Sequence, residues 1–259
     1  KVEKYHGAFS SHPETRKRIE KSIADAKAVS TTGLSNRNAL LAAVSEYAYG
    51  DSAEQGAVVG QRFLHPELGI QIEFTKEWVI NNTPAALQAR VRQKEAYFQL
   101  QVIDLQKRHS ATDVLKKGLG FLDRNIHNLT TGTQAGMPYA HANVKQSAPK
   151  LSFAMIDAYT FLDGDRAFVL LMWSHRDKFD SFKADFAKVA KSFRSYDKTR
   201  DGDIPRIFLH QWRSGDSWRG LALRSKNILG RFTAERLAAL NGMGLDENPA
   251  TGTVIKIVK

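Results

Sequence analysis

The middle of the chain alternates hydrophobic and polar residues with a period of two. Residues 70–74 do so through Ile70, Ile72 and Phe74, and residues 96–102 repeat the pattern. This alternation is typical of half-buried strands. Two more strands are predicted near 151–162 and 166–174, and the pair Asp163-Gly164 between them is typical of a tight hairpin turn.

Helical spacing follows and closes this region. One predicted helix turns Val114, Leu115, Leu119 and Leu122 inward, and a last one carries Phe182, Phe186, Val189 and Phe193 on one face. Such stripes are typical of helices packed on a core. Residues 60–198 are therefore predicted to form an α+β domain, an antiparallel sheet covered by helices.

The N-terminal region, residues 1–50, is predicted to be helical. Pro13 suits the first position of a helix, and Ser35 suits the cap of a second helix. The second helix is expected to bury one face, formed by Leu40, Leu41, Val44 and Tyr47. Two short helices cannot bury their own faces, so this region is expected to complete a domain that lies upstream.

The C-terminal region, residues 205–259, is predicted to be a small β-α-α-β unit. A polar stretch, Ser195–Asp203, precedes it and is expected to be a linker. A strand near Ile207 and a closing strand Thr253–Val258 enclose two helices, the second running from Phe232 to Leu240.

Composition limits the function classes. The 259 residues include no Cys, which excludes disulfides, thiol nucleophiles and cysteine zinc sites. The net charge of +11 favours anionic partners. Lys and Arg are scattered without interleaved aromatics, which argues against nucleic acid. No apolar run approaches the roughly 20 residues that cross a bilayer. The chain starts at Lys1 without a signal-like segment, as expected of a processed or truncated chain.

The histidine spacing argues against independent metallopeptidase activity. A zinc-binding H-E-x-x-H helix needs two His residues four positions apart. The eight His residues stand at positions 6, 12, 65, 109, 127, 141, 175 and 210, and no two are four apart. Nucleophile-elbow and P-loop motifs are absent as well. The sequence therefore predicts no metal site in this chain alone.

The segment Phe9–Pro13 followed by Arg18-Ile19 resembles the T/S-H-P…R-I/L segment that closes the catalytic domain of HtpX- and BepA-type zinc metallopeptidases. The resemblance implies that His12 faces the zinc cleft, where it would stabilise an oxyanion or act as a gate. It implies that Arg18 braces a nearby carboxylate. A solvated helix start with a basic first turn is the simpler interpretation of the same residues.

The resemblance to periplasmic members of this family continues through the next segments. Tyr49–Ser52, Glu54–Gly56 and Arg62–Gly69 are similar to the connection that leads from the catalytic domain into a PsbP-like domain. Residues 60–198 would then be the PsbP-like domain, and residues 1–50 the helical end of the catalytic domain.

The C-terminal region resembles LysM modules, which bind the N-acetylglucosamine chains of peptidoglycan. The resemblance lies in Ser214–Trp218, Leu240–Gly242 and Gly252–Ile257. In this interpretation Gly215 and Asp216 form a turn that caps the first helix, and Asn241 leads out of the second. The candidate aromatic platform for sugar is Trp212 and Trp218, although such residues more often pack in a core. A purely structural cap fits the same motifs.

Together the resemblances imply the non-catalytic C-terminal part of a periplasmic zinc metalloendopeptidase for envelope protein quality control. Zinc would belong to the upstream catalytic domain. Expected partners are that domain, unfolded or stalled envelope proteins, and peptidoglycan. Two alternatives remain open: a non-enzymatic peptidoglycan-binding adaptor and, less favoured, a nucleic-acid-binding protein.

Overall fold

The computed structural model describes residues 15–28, 36–50, 53–83, 86–91, 95–107, 109–148, 151–229 and 232–259. The chain divides into two compact units, Lys1–Ala43 and Val44–Lys259. No helix among these residues is long and apolar enough to span a bilayer.

The helices of the N-terminal part are α1 (Thr15–Ala28) and α2 (Arg37–Val44). Ser35, the expected cap of α2, lies outside the described residues. Asn36 caps the helix instead, because its Oδ1 accepts a hydrogen bond of 2.9 Å from the amide of Ala39. Of the expected buried face only Leu41 is buried, while Leu40 and Tyr47 are exposed. Tyr47 lies three residues beyond the end of α2, so helical spacing no longer places it on that face.

The second unit contains two antiparallel sheets. The four-stranded sheet has the spatial order β1 (Ala57–Val59), β2 (Arg62–His65), β3 (Ile70–Glu73) and β11 (Arg194–Ser195). The seven-stranded sheet has the order β4 (Trp78–Thr83), β5 (Ala86–Val91), β6 (Ala96–Asp104), β10 (Arg166–His175), β9 (Leu151–Asp163), β8 (Met137–Ala148) and β7 (Ile126–Gln134). Antiparallel sheets packed with helices confirm the α+β class.

One face of the seven-stranded sheet packs against α4 (Phe179–Ser192). The predicted aromatic stripe is buried as expected, and Phe193 continues it just beyond the last helical residue. The Phe193 ring lies 4.6 Å from the ring of Phe161 on β9, measured between centroids. The spacing of large apolar residues therefore identified this interface correctly.

The opposite face of the same sheet is covered in part. A short helix, α3 (Ala111–Asp113), continues as a π-helical turn over Val114–Gly118. Val114 and Leu115 are buried there, against small residues of β8, β9 and β10 such as Ala140 and Ala167. Leu122, predicted to face inward, is exposed because the helix has already ended.

The predicted linker is ordered structure. Ser195 ends β11, and α5 (Lys198–Asp201) follows directly. Arg194 holds Asp201 through two hydrogen bonds of 2.8 and 2.5 Å. A charged pair across six residues compacts a segment whose polar composition alone indicated a loop.

The C-terminal part consists of β12 (Ile207–Gln211), α6 (Trp218–Leu229), α7 (Ala234–Leu240) and β13 (Val254–Val258). The two strands pair antiparallel, with Ile207 opposite Val258. The order is β-α-α-β, as predicted. A core that includes Leu221, Leu237 and Ile255 lies between the helices and the strands.

The segment after α2 joins the start of β12. Amides of Glu46 and Tyr49 donate to carbonyls of Ile207 and Pro205, each at 2.7 Å. On the other side Ile204 packs with Ala57, Val59 and Leu64 of the four-stranded sheet. Backbone pairing and apolar packing thus connect the sheet region to the β-α-α-β region within Val44–Lys259.

Candidate functional site

The two residues predicted to support catalysis are His12 and Arg18. His12 lies outside the described residues. Arg18 belongs to α1, but its side chain lies outside them too. Their roles at a zinc cleft therefore stay predictions.

The predicted aromatic platform is part of the core. Trp212 is 5% exposed and Trp218 is 2% exposed, and their ring centroids lie 4.8 Å apart. The indole N–H of Trp218 donates to the carbonyl of Glu247 at 2.6 Å. A sugar stacks on an open ring face, so the prediction that these two rings form a platform is wrong. They hold the turn before α6 against the loop before β13.

Gly215 and Asp216 form the expected turn. Gly215 has a φ of +92°, the left-handed region that glycine adopts most easily. The Asp216 carboxylate accepts from the amide of Arg213 at 2.9 Å and pairs with His210 Nε2 at 2.7 Å. The hydrogen bond from His210 is the main reason why the pKa of Asp216 lies below its usual range. The cap of α6 comes instead from Ser217, whose hydroxyl accepts from the amide of Gly220 at 3.1 Å.

Asn241 joins the end of α7 to the last strand. Its side-chain amide donates to the carbonyls of Leu237 and Lys256, at 3.0 and 2.9 Å. Its Oδ1 accepts from the amide of Lys256 at 2.7 Å. The side-chain amide of Asn241 therefore links α7 to β13 through hydrogen bonds.

A polar network lies at the β7 side of the sheet. His141 Nε2 is 2.6 Å from Asp157 Oδ1, and Asn143 donates to the same oxygen at 2.8 Å. The His141 ring stacks on Tyr159 with centroids 4.1 Å apart. Burial is the main reason why the pKa of Tyr159 is raised above its usual value. Within the described ranges no group of three or more His, Asp or Glu side chains lies close enough to hold a metal ion.

The strongest candidate for ligand binding is a groove of about 510 Å³ on the part of the sheet that α3 leaves open. Phe98 of β6 points to the α4 side, so its neighbours Tyr97 and Gln99 point to the opposite side. The side chains that face this groove are Val79, Asn81, Gln88, Arg90, Tyr97, Gln99 and Trp173. Its volume is within the roughly 300–1,000 Å³ typical of small-ligand sites.

Strand register arranges these side chains in two rows. Arg90, Tyr97 and Trp173 are directly opposite one another on β5, β6 and β10. Asn81 is opposite Gln88, and Gln88 is opposite Gln99. Residues opposite each other in antiparallel strands share a face, and rows two residues apart are about 7 Å apart. An aromatic row with one cation therefore runs beside a row of amides.

The aromatic row contains a stacked pair. The rings of Tyr97 and Trp173 are 5.6 Å apart between centroids and 21° from parallel, and both side chains are partly exposed. Offset stacking of this kind is a favourable arrangement of aromatic rings. Arg90 is the one charged residue among those that line the groove, and none of the others is acidic.

The hydrophobic pattern pointed away from this groove. In residues 96–102 it marked Ala96, Phe98 and Leu100 as the buried positions, and the intervening Tyr97 and Gln99 counted only as polar spacers. The sequence did contain one indication of the groove. Tyr97 and Trp173 are aromatic residues at positions between the buried residues of their strands, where polar residues are expected. The register that joins them connects residues 76 positions apart, and no local pattern carries that information.

No protein-family model matches the chain, and no curated protein is significantly similar to it in sequence. Among solved structures the chain resembles cyanobacterial PsbP from Synechocystis, with 16% identity and a TM-score of 0.42 over 57% of this chain and 98% of that one. A Bacteroides thetaiotaomicron protein matches with 9% identity and a TM-score of 0.40 over 67% of this chain and 63% of that one. LpqN of Mycobacterium tuberculosis, described as involved in cell envelope biogenesis, matches with 9% identity and a TM-score of 0.32 over 48% and 82%. Similarities of this size bear on the fold alone.

Proposed function

We propose that this chain is a docking part of a larger enzyme, the non-catalytic C-terminal part of a bacterial zinc metalloendopeptidase that acts on misfolded or stalled proteins on the periplasmic side of the envelope. The groove beside Tyr97 and Trp173 carries the docking role, that is, localisation of the enzyme at the envelope, because it offers an open aromatic and polar surface. The segments around His12 and residues 49–69 supply the link to the metallopeptidase family by resemblance.

In this proposal the chain contributes binding, and the chemistry belongs to the upstream domain. Three of the histidines pair with a carboxylate within the chain: His141 with Asp157, His175 with Asp177, and His210 with Asp216. His65 is buried, and that burial lowers its pKa, which keeps the ring neutral. The zinc-activated water that hydrolyses the peptide bond would form on ligands upstream of this chain.

A comparison of two proteins tests the proposal. The 259-residue chain is assayed with fluorescent casein in added zinc, beside the longest product of the same reading frame that contains it. We expect no hydrolysis by the chain alone and chelator-sensitive hydrolysis by the longer protein. Chelator-sensitive cleavage by the chain alone would overturn the proposal, and so would a longer protein without such activity.

A second candidate is a non-enzymatic adaptor that binds envelope glycan. The groove and the β-α-α-β order of residues 207–258 favour it, and the +11 charge suits an anionic polymer. The same experiment separates the two candidates, because an adaptor predicts no casein hydrolysis by either protein.

A further inference from the structure

The geometry of the groove points to one class of ligand: a polysaccharide that carries carboxylate groups, held by the two side-chain rows on β4, β5, β6 and β10. This inference deepens the proposed docking role and rests on it for its biological setting. The groove itself stands on its own observations.

The polar groups of the groove have no partner in the described part of the protein. The side chains of Asn81, Gln88 and Gln99 make no hydrogen bond to described residues, and neither does the indole N–H of Trp173. Amides elsewhere in the fold behave differently. Gln134 donates to two backbone carbonyls, at 2.9 and 2.8 Å, and Asn241 makes three hydrogen bonds. Three amides aligned across three strands thus keep both donors and acceptors for a ligand.

A row of amides beside an aromatic pair suits a sugar. Hydroxyl and acetamido groups both donate and accept hydrogen bonds, and side-chain amides match both roles. The apolar face of a sugar ring packs against an aromatic ring, and Tyr97 and Trp173 provide a partly exposed pair. The two rows are about 7 Å apart along the strands, so one sugar unit can contact both.

Arg90 selects for negative charge. It is exposed, and no acidic side chain of the described residues lies within ion-pair distance of it. A guanidinium binds a carboxylate through two parallel hydrogen bonds. The absence of acidic residues from the groove lining removes repulsion of an anionic polymer. A carboxylate on the sugar chain therefore has one defined partner.

The same geometry disfavours an unfolded polypeptide. An extended peptide binds to a sheet mainly by pairing its backbone with a free strand edge. β5, β6 and β10 are each paired on both sides, so most of the groove floor offers side chains alone, and β4, at the edge of the sheet, is the groove strand with a single strand neighbour. Recognition by side-chain rows fits a polymer of rings better than a β-strand.

Two soluble oligosaccharides test the inference on the whole 259-residue chain. A hyaluronan hexasaccharide carries acetamido and carboxylate groups, and chitohexaose carries acetamido groups without carboxylates. Calorimetry measures affinity, and protection of Trp173 fluorescence from iodide quenching locates the site. We expect the hyaluronan fragment to bind about tenfold more tightly than chitohexaose, the effect of one charge-assisted bidentate contact.

Variants in the groove separate the charge of Arg90 from the hydrogen bonding of the amide row. Arg90→Gln should reduce hyaluronan affinity about tenfold and leave chitohexaose affinity unchanged. The matched control Arg124→Gln removes the same charge from an exposed residue outside the groove and should change neither affinity. Gln88→Ala with Gln99→Ala should weaken both ligands. Circular dichroism and urea midpoints confirm that each variant is folded.

Several results would overturn the inference: no binding of either sugar to the folded chain, equal affinity for both sugars, or equal losses from Arg90→Gln and Arg124→Gln. Protection of Trp173 by unfolded casein, without protection by sugars, would identify a polypeptide site instead. None of these results alters the casein hydrolysis experiment, so the docking site and the enzyme assignment can fail separately.

Discussion

At the scale of single residues, one carboxylate organises the segment between the sheet and the β-α-α-β region. The Asp201 side chain is 1% exposed and accepts hydrogen bonds from Arg194, Arg200 and the amide of Asp197. The hydrogen bonds from Arg194 are the main reason why the pKa of Asp201 lies below its usual range. Hydrogen bonds donated to a carboxylate favour its charged form.

Replacing this carboxylate should destabilise the protein. Asp201→Asn leaves two guanidinium groups without their anion, and because both are partly exposed we expect a loss of about 2 kcal/mol rather than the larger value of a fully buried pair. The control Asp165→Asn changes an exposed partner of Arg166 and should cost less than about 1 kcal/mol. Urea unfolding at pH 7 measures both. Equal losses of unfolding free energy in Asp201→Asn and Asp165→Asn would show that the burial of Asp201 does not strengthen its ion pairs.

The loss of unfolding free energy in Asp201→Asn should depend on pH in a defined direction. The pKa of Asp201 is lower in the folded protein than the value of about 3.9 in the unfolded chain. Ionised Asp201 therefore stabilises the folded protein fully at pH values above its pKa in the unfolded chain. This contribution is lost as the pH falls through the pKa of Asp201 in the folded protein. The deficit of Asp201→Asn should be constant from about pH 7 to pH 5 and shrink below about pH 4.

At the scale of elements, the turn before β1 depends on a residue without a side chain. Gly56 has a φ of +74°, and a Cβ placed there would lie 2.6 Å from the Cζ of Phe63. Phe63 is buried on β2 and contacts the His65 ring, so it cannot move aside. Gly60, in the turn between β1 and β2, has a φ of +66° and open space around it.

These two glycines make a matched pair for an alanine test. Both substitutions incur the left-handed backbone penalty of about 1 kcal/mol, but Gly56→Ala also overpacks against Phe63, which adds about 1–3 kcal/mol. Urea midpoints of the two variants measure the difference. If Gly60→Ala is as destabilising as Gly56→Ala, the backbone conformation alone accounts for the loss, and the contact with Phe63 adds nothing to it.

Element boundaries show where local patterns stop being informative. The spacing of Val114, Leu115, Leu119 and Leu122 predicts one continuous helix, yet α3 is short and ends in a π-helical turn. Packing against the small residues of β8 and β9 buries Val114 and Leu115, and the chain turns at Gly120 with a φ of +65°. The first half of the prediction holds because Val114 and Leu115 are buried, and the prediction for Leu122 is wrong because this residue lies beyond the end of the helical turn.

At the scale of the whole molecule, the sheet region and the β-α-α-β region share a small interface. Ile204 is 1% exposed and packs with Ala57, Val59 and Leu64. Backbone hydrogen bonds between Glu46 and Ile207 lie beside it. An apolar side chain at this position connects the four-stranded sheet to the strand that opens the C-terminal region.

Truncating that side chain should weaken the connection as well as the overall stability. Ile204→Ala removes buried methyl groups and should cost about 3 kcal/mol, whereas Leu209→Ala, at an exposed position on β12, should cost about 0.5 kcal/mol or less. Urea unfolding gives the stabilities, and limited proteolysis reports cleavage in residues 195–206. Unchanged proteolysis in Ile204→Ala would mean that the interface does not depend on this contact.

The sequence by itself determined the α+β class, the hairpin at Gly164, the buried stripe of α4 and the β-α-α-β order, because periodicity and turn residues act over neighbouring positions. It also indicated that Gly215 and Asp216 form a turn. Tertiary structure alone decided which tryptophans are buried: Trp212 and Trp218 pack in a core, while Trp173 faces the groove. Sequence gives an aromatic residue the same hydrophobic weight in every place, whereas exposure depends on which strands become neighbours.

The candidate groove is also a feature that only the tertiary structure decided. Its amide row and its aromatic row exist because β5, β6 and β10 pair in one register, and β10 follows β6 only after three intervening strands and helical turns. Long-range pairing is set by the fit of the whole core rather than by local preference. The chain thus encodes its strands locally, and its candidate binding surface appears only when distant strands meet.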